Sequence, residues 1–186
     1  MNSKRLIGLI LVSLLALTAC QTPGEKPDSV AASRIDRDAD AALRNLYENT
    51  PTARILGQQA KGILVFPGIV KAGFIGGAEY GKGALLINGR TQGYYNLVAG
   101  SVGLQAGVQS FDYVMFFMTQ SALNYLNDSE GFEVGVGPSV VVVDAGYAKS
   151  LTTSTGQDDI YAFVFGQKGL MAGLGLQGSK ITRINP

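Results

Sequence analysis

The chain has 186 residues, of which 46% are hydrophobic and 16% are charged, with a formal net charge of +1 and no histidine. This balance excludes a strongly basic nucleic-acid-binding domain, and the length is sufficient for one domain with a substantial core. A single cysteine leaves no disulfide framework. The missing histidine removes the commonest general base and the usual zinc ligand.

The first 19 residues have the pattern of an export signal. Lys4 and Arg5 precede an apolar run from Leu6 to Ala19, which is shorter than the roughly 20 residues that a permanent membrane span requires. The run ends at Cys20, and Leu17–Cys20 (LTAC) resembles the lipobox of bacterial lipoproteins, in which the cysteine is acylated. We therefore predict a signal peptide at 1–19 and a lipidated Cys20. The alternative is an ordinary signal peptide followed by a chance cysteine.

A flexible tether and two helices are predicted next. Residues 20–32 are predicted to form the tether, because Gln21–Ser29 is polar, contains proline and glycine and lacks apolar periodicity. Val30–Glu48 repeats apolar residues at helical spacing, and the mixed charges of its other face favour docking on a core over lying on a membrane. Pro51 can begin a second helix that extends to about Gln59, with Thr50 as its cap.

Beyond Ala60 the apolar period changes to that of strands punctuated by glycine. Asn88-Gly89 predicts a hairpin turn, and Gln120–Asn127 predicts a helix. The predicted strands are Ile63–Phe66, Ile69–Ile75, Ala84–Ile87, Gly93–Val98, Val102–Val108, Phe111–Met118, Glu133–Val136, Val140–Ala145, Ile160–Phe165, Leu170–Gln177 and Lys180–Ile184.

These elements predict an α+β fold in a single domain over residues 33–186. Two helices followed by many strands, without βαβ alternation, indicate a mainly antiparallel sheet with N-terminal helices and one helix after mid-chain. So many short strands would leave exposed edges unless the sheet curls, so we expect a strongly curved or barrel-like sheet.

We predict no catalytic site, no metal site and no cofactor. Gly76–Lys82 matches most of a phosphate-binding P-loop, but Gly83 stands where the motif needs Ser or Thr, and a strand follows where a helix is required. Asp158 and Asp159 would point to opposite faces of a strand and cannot share a proton there. They are interpreted as turn residues before the strand at Ile160.

Beyond Lys26, the basic residues fall into two blocks, 34–90 and 149–183, with no Lys or Arg between them. If the fold brings the blocks together, one face would attract anionic head groups, at about 1 kcal/mol for each cation near such a surface. If it does not, the same residues are solvated charges scattered over loops. The sequence leaves both interpretations open.

Several blocks resemble, in the same order, the SYLF lipid-binding domain, which is related to yeast actin-binding SYLF proteins. The resemblance extends from about residue 30 to the end of the chain. The matching blocks are Ala60–Pro67, Val70–Phe74, Gly76-Gly77, Gly93–Tyr95, Gly103–Gln109, Phe117–Thr119, Gly169–Leu174 and Gly178–Ile181.

The resemblance implies a lipid-binding module without catalytic activity. Eukaryotic members bind phosphoinositides through basic residues, and a fungal branch binds actin, which an exported chain would not meet. The segment Phe66–Ile69 either dips into lipid or forms a buried turn. The head-group contacts expected from the matched blocks are Lys61, Lys71 and Lys180, followed by Lys82, Arg90 and Arg183. The alternative is that these cations only keep strand edges soluble.

The function expected from the sequence is therefore that of a membrane-anchored lipoprotein whose domain binds anionic lipid head groups. The alternative is a structural or protein-interaction module of the cell envelope in which the lipid site has lapsed. Partners would be membrane lipid and an envelope protein, with no nucleic acid. Gln21 after the cysteine resembles lipoproteins of the outer membrane, so we expect the inner leaflet of that membrane, facing the periplasm.

Overall fold

Two helices precede the strands, and a third lies among them, in the residues that the computed structural model describes, which are 27–73, 76–102, 107–128, 131–143, 158–169 and 178–186. The helices in these ranges are α1 (Pro27–Asn49), α2 (Pro51–Gln59) and α3 (Gln120–Asp128). The strands are β1 (Gly62–Gly73), β2 (Gly76–Ile87), β3 (Arg90–Val102), β4 (Gly107–Phe117), β5 (Phe132–Glu133), β6 (Val140–Val143), β7 (Ile160–Gly169) and β8 (Lys180–Ile184).

All the described strands join one eight-stranded sheet in the order β5-β8-β3-β2-β1-β4-β7-β6. Every neighbouring pair is antiparallel except β6 and β7, which run parallel. The sheet is strongly curled into a half-barrel, with two helices before it and one after mid-chain. The predicted α+β class and curved, mainly antiparallel sheet are confirmed.

Large side chains pack on both faces of this sheet. The inner face, as we name it, includes Leu64, Phe66, Tyr95 and Met115, and it packs against α3. The outer face includes Val65, Ala84 and Phe116, and it packs against α1 and α2. Since side chains alternate along a strand and directly paired residues share a face, the strand register assigns each remaining side chain to one face.

Helices α1 and α2 cover only part of the outer face. Their buried side chains pack over Val65, Ala84, Val114 and neighbouring residues of the outer face. Asp36 fixes α1 to β3, because its carboxylate accepts hydrogen bonds from the Thr91 hydroxyl at 2.8 Å and the Tyr94 hydroxyl at 3.0 Å. Among the described residues, no helix combines the length and apolarity needed to cross a bilayer.

The helices lie close to their predicted positions. Helix α1 begins at Pro27, three residues before the predicted start, and α2 has its predicted bounds. Thr50 occupies the N-cap of α2, but its side chain makes no capping hydrogen bond. Thr119 caps α3, where its hydroxyl accepts a hydrogen bond from the backbone N–H of Ala122 at 3.3 Å.

The central strands are longer than predicted, because glycines that were interpreted as strand ends lie within them. A Cβ on Gly83 would lie 2.6 Å from Phe66 Cδ1, and one on Gly81 would lie 2.7 Å from Ile69 Cγ1. These glycines therefore allow β1 side chains to cross the inner face of β2. The hairpin at Asn88-Gly89 is confirmed, with φ of 51° and 72°.

One extra residue in β1 changes which face its side chains occupy. Phe66 pairs with Tyr113, and Ile69 pairs with Phe111, so three steps along β1 match two steps along β4. Phe66 and Ile69 consequently both face inward. Gly68 lies in this bulge with φ of 62°, and its N–H donates a hydrogen bond to Asp112 Oδ1 at 2.8 Å.

Some predicted features lie outside the described residues. These are the signal peptide at 1–19, Cys20 with the first part of the tether, residues 103–106 of the strand predicted at Val102–Val108, and the strand predicted at Leu170–Gln177.

Candidate functional site

The part of the outer face that α1 and α2 leave uncovered carries exposed apolar side chains. In the sheet register, Val70 pairs with Tyr80, and Tyr80 pairs with Val98, so these three side chains form one row across β1, β2 and β3. Each is between 46% and 48% exposed, and Val108 on β4 is 64% exposed. Large exposed apolar side chains that adjoin one another are typical of a binding surface.

Smaller residues continue this surface toward the end of the strands. Ala72 pairs with Ala78 and with Val108, and Ala78 pairs with Gly100. All four residues are exposed. We call the surface the open half of the sheet, and it comprises Val70, Ala72, Ala78, Tyr80, Val98, Gly100 and Val108.

Lysines stand at both ends of the apolar row. Lys180 on β8 pairs with Val98, and Lys168 on β7 pairs with Ser110, which in turn pairs with Val70. Lys82 lies two residues from Tyr80 on β2 and therefore faces the same side. All three lysines are exposed. The open half of the sheet thus has an apolar centre flanked by positive charge.

Two carboxylates border the same surface. Glu133 on β5 pairs with Lys180 at the sheet edge, where opposite charges across strands attract. Asp112 on β4 lies between the open half and the helices, and one of its oxygens accepts the N–H of Gly68. Each carboxylate therefore offsets part of the positive charge, Glu133 beside Lys180 and Asp112 beside Ser110, the partner of Lys168.

The structure brings together only two of the cations expected to contact lipid. Lys82 and Lys180 come from the two basic blocks of the sequence and lie on adjoining parts of the open half, because β8 pairs with β3 and β3 with β2. Arg183 is exposed on β8 on the inner-face side, and its Nη2 donates to the Gln92 carbonyl at 3.1 Å. Its pairing with Tyr95 holds it away from the lysines.

Lys61 and Arg90 are exposed at the opposite end of the sheet. Lys61 precedes β1, and Arg90 follows the hairpin turn Asn88-Gly89. Lys61 and this turn line a cleft of about 350 Å³ whose apolar wall includes Leu43 and Tyr47. These two cations are therefore separated from Lys82 and Lys180 by most of the length of β2.

Lys71 does not face solvent. Its Nζ lies 3.0 Å from Glu79 Oε1, and both side chains are 2% exposed. The bulge in β1 places Lys71 on the inner face, between Glu79 on β2 and the buried Gln109 on β4. Because the ammonium group is enclosed in the protein, Lys71 cannot reach a head group in this conformation, and its position corrects the expectation that it is available at the surface.

Three other segments that the sequence raised as candidate sites are parts of the sheet or its connections. Phe66 and Ile69 are fully buried, so the segment between them forms a bulge within β1 and not a loop that dips into lipid. Gly76–Lys82 is strand, which agrees with the rejection of a P-loop. Asp159 lies just before β7 and accepts hydrogen bonds from the Thr119 hydroxyl at 2.9 Å and the Ser139 N–H at 3.2 Å.

Sequence reasoning missed Lys168 and the exposed valines. Gln167 and Gly166, with its φ of 65°, form an irregularity in β7, and this places Lys168 opposite Ser110 on the outer face. No local pattern indicates that pairing. The alternation of Val98 and Gly100 with buried neighbours indicates that these two residues share the outer face. It does not indicate which part of that face the helices leave uncovered.

Residues 98–185 match the family model of Ysc84, described as Las17-binding protein actin regulator. The match agrees with the SYLF resemblance of the sequence, and that resemblance is confirmed over this part of the chain. The matched range includes Val98, Val108, Lys168 and Lys180 of the site, but not the site residues on β1 and β2. No curated protein matches the chain.

Proposed function

Because residues 98–185 match the family model of Ysc84 (SYLF) binding modules, we propose that the protein is a membrane-tethered, non-catalytic lipid-binding module. The tether would be an acyl group on Cys20 after removal of residues 1–19, and the domain would lie at the inner leaflet of an outer membrane. Actin binding is left aside because an exported chain does not meet actin.

One observation carries the lipid-binding part of the proposal: the open half of the sheet combines an exposed apolar row with Lys82, Lys168 and Lys180 around it. A membrane surface offers both apolar interior and negative charge, so it matches this combination. Three lysines near an anionic surface contribute about 3 kcal/mol, or roughly a hundredfold enrichment, before any apolar insertion.

Vesicle co-sedimentation tests this site without the anchor. Residues 20–186 carrying Cys20→Ser hold every described helix and strand, and we expect them to pellet with phosphatidylglycerol vesicles at low salt and less at moderate salt. Lys82→Glu with Lys180→Glu should abolish pelleting. Lys61→Glu with Arg90→Glu is the matched control, because it reverses the same number of charges at the other end of the sheet.

Three results would count against the proposal. Absence of pelleting with every vesicle would reject lipid binding and favour the alternative of a protein-interaction module. Equal loss in the control pair would move the site to the cleft at Lys61. Pelleting that ignores salt and both charge reversals would reject the role of the cations.

The anchor is tested separately in the full chain. We expect the wild-type protein to remain with membranes at high salt and to incorporate labelled palmitate. The Cys20→Ser variant should incorporate none, and high salt should release it from membranes, because only the head-group contacts of the domain would then hold it. Membrane association of the Cys20→Ser variant through an uncleaved leader would be revealed by its larger mass. Labelling of that variant would reject Cys20 as the acylated residue.

A further inference from the structure

We infer that the open half of the sheet is a bilayer interface that engages several anionic head groups at once and places Tyr80 between them. It is not a pocket for a single head group. The inference rests on the proposed function and specifies the kind of lipid site, so it predicts behaviour that lipid binding alone does not.

The spacing of the lysines requires more than one head group. Lys180 and Lys168 stand at the two ends of a row that crosses β8, β3, β2, β1, β4 and β7. Five strand spacings lie between them, which is a path of about 24 Å along the curved sheet. No single phosphate can contact both ammonium groups over that distance, so the two lysines must use different lipids.

The centre of the surface is suited to lipid chains and not to a polar head group. Between the two lysines lie the side chains of Val98, Tyr80, Val70 and Ser110, and the next row contains alanine, glycine and Val108. A pocket for one head group would instead need converging polar groups around its centre. A tyrosine surrounded by valines has the amphipathic character of side chains at the membrane–water boundary.

The protein contains no tryptophan, so a substitution at Tyr80 gives a unique fluorescent reporter. In the 20–186 chain with Cys20→Ser, we expect Tyr80→Trp emission to shift to the blue with phosphatidylglycerol vesicles and to be quenched by brominated acyl chains. Tyr125→Trp is the matched control, since Tyr125 is 38% exposed on α3, which packs against the inner face. An equal response from both reporters, or none from Tyr80→Trp on bound protein, would overturn the inference.

The dependence on lipid composition supplies the second measurement. With increasing phosphatidylglycerol in phosphatidylcholine vesicles, we expect bound protein to rise more steeply than the first power of the anionic fraction. Lys168→Glu and Lys180→Glu each change the charge by two units and should each lower the affinity roughly thirtyfold. The soluble deacylated head group glycerophosphoglycerol should not release the protein.

The outcomes separate this inference from the proposed function. Binding that rises linearly with the anionic fraction and is displaced by glycerophosphoglycerol would overturn the multiple-lipid interface, while lipid binding itself would stand. If the protein binds to none of the vesicles, both the inference and the proposed function are overturned. The same holds if a protein partner binds and vesicles do not. Unfolding curves that match the parent would establish that each variant is folded.

Discussion

Lys71 and Glu79 face each other across β1 and β2, and they form an ion pair of 3.0 Å that is almost fully buried. The second oxygen of Glu79 has no hydrogen-bond partner. Removing two charges from water costs several kcal/mol for each ion, and the attraction between them restores it only in part. The pair therefore contributes little net stability, yet the protein depends on both members being present.

We predict that Lys71→Ala or Glu79→Ala lowers the free energy of unfolding by about 3–5 kcal/mol, because each leaves one buried charge unpaired. The double variant Lys71→Met with Glu79→Leu should lie much closer to the parent. Urea unfolding measures both effects. A single variant within about 0.5 kcal/mol of the parent would contradict the prediction. Loss of vesicle binding by a Lys71 variant should thus accompany loss of folding.

Asp159 makes stability depend on acid pH. Its hydrogen bonds from Thr119 and Ser139 hold the pKa of its carboxyl below the ordinary value. When the pKa of a carboxyl is lower in the folded state than in the unfolded state, the group adds to the free energy of unfolding. The full contribution is present above the pKa of the unfolded state, about 3.9, and it is lost as the pH falls through the pKa of the folded state. We predict that Asp159→Asn lowers the free energy of unfolding by about 1 kcal/mol at neutral pH and by less at acid pH. The effect is small because solvent screens this partly exposed group.

Unfolding free energies measured from neutral to acid pH would check this prediction. The difference between the parent and Asp159→Asn should narrow as the carboxyl of the parent takes up its proton. Asp38→Asn on the exposed side of α1 serves as the control. A difference that stays constant over the acid range would show that the charge of Asp159 is not responsible.

Tyr113 has a buried hydroxyl without a hydrogen-bond partner on the inner face. Burial raises the pKa of this phenol above its ordinary value, which favours the neutral form. Tyr113→Phe removes an unsatisfied polar group and keeps the ring that stacks on Phe66. We expect it to leave stability unchanged or raise it by up to about 1 kcal/mol, measured by urea unfolding. Clear destabilisation would mean that the hydroxyl is satisfied in solution.

Removing the charge of Glu133 should increase the affinity for membranes, whereas the lysine substitutions lower it. It pairs with Lys180 across β5 and β8 and adds negative charge beside the open half. We predict that Glu133→Gln increases affinity for phosphatidylglycerol vesicles by roughly fivefold at low salt, with less effect at moderate salt. Glu48→Gln on the exposed side of α1 is the comparison. An equal increase from both would indicate a general charge effect and not a defined surface.

Much of this fold could be predicted from local patterns. Apolar periodicity gives α1, Pro51 marks the start of α2, the Asn88-Gly89 pair gives the hairpin, and the bounds of β8 are as predicted. The strand lengths could not be predicted, because Gly81 and Gly83 look like breaks in the sequence. They are in fact required by the side chains of Ile69 and Phe66 that cross them.

The site was harder to predict because it depends on pairing between distant residues. Lys82 and Lys180 were among the expected cations, but nothing in the sequence separates them from Lys71, which looks equally available. Lys168 reaches the outer face only through an irregularity in β7. Which half of the outer face stays uncovered depends on how α1 docks through Asp36, and that is a tertiary contact.

The bulge at Pro67 and Gly68 absorbs one residue of β1, and this keeps the side chains on its two sides in phase with β4. Deleting Gly68 would remove the bulge while Ile69, Val70 and Lys71 kept their faces, because two steps along each strand would then separate the two pairs. A β1 of the present length without the bulge would instead turn Lys71 outward and Val70 in toward Glu79. Substitutions along this strand alter one contact at a time, whereas a residue gained or lost outside the bulge would invert the distal half of the strand, so a change of length should be better tolerated at this position than elsewhere in β1.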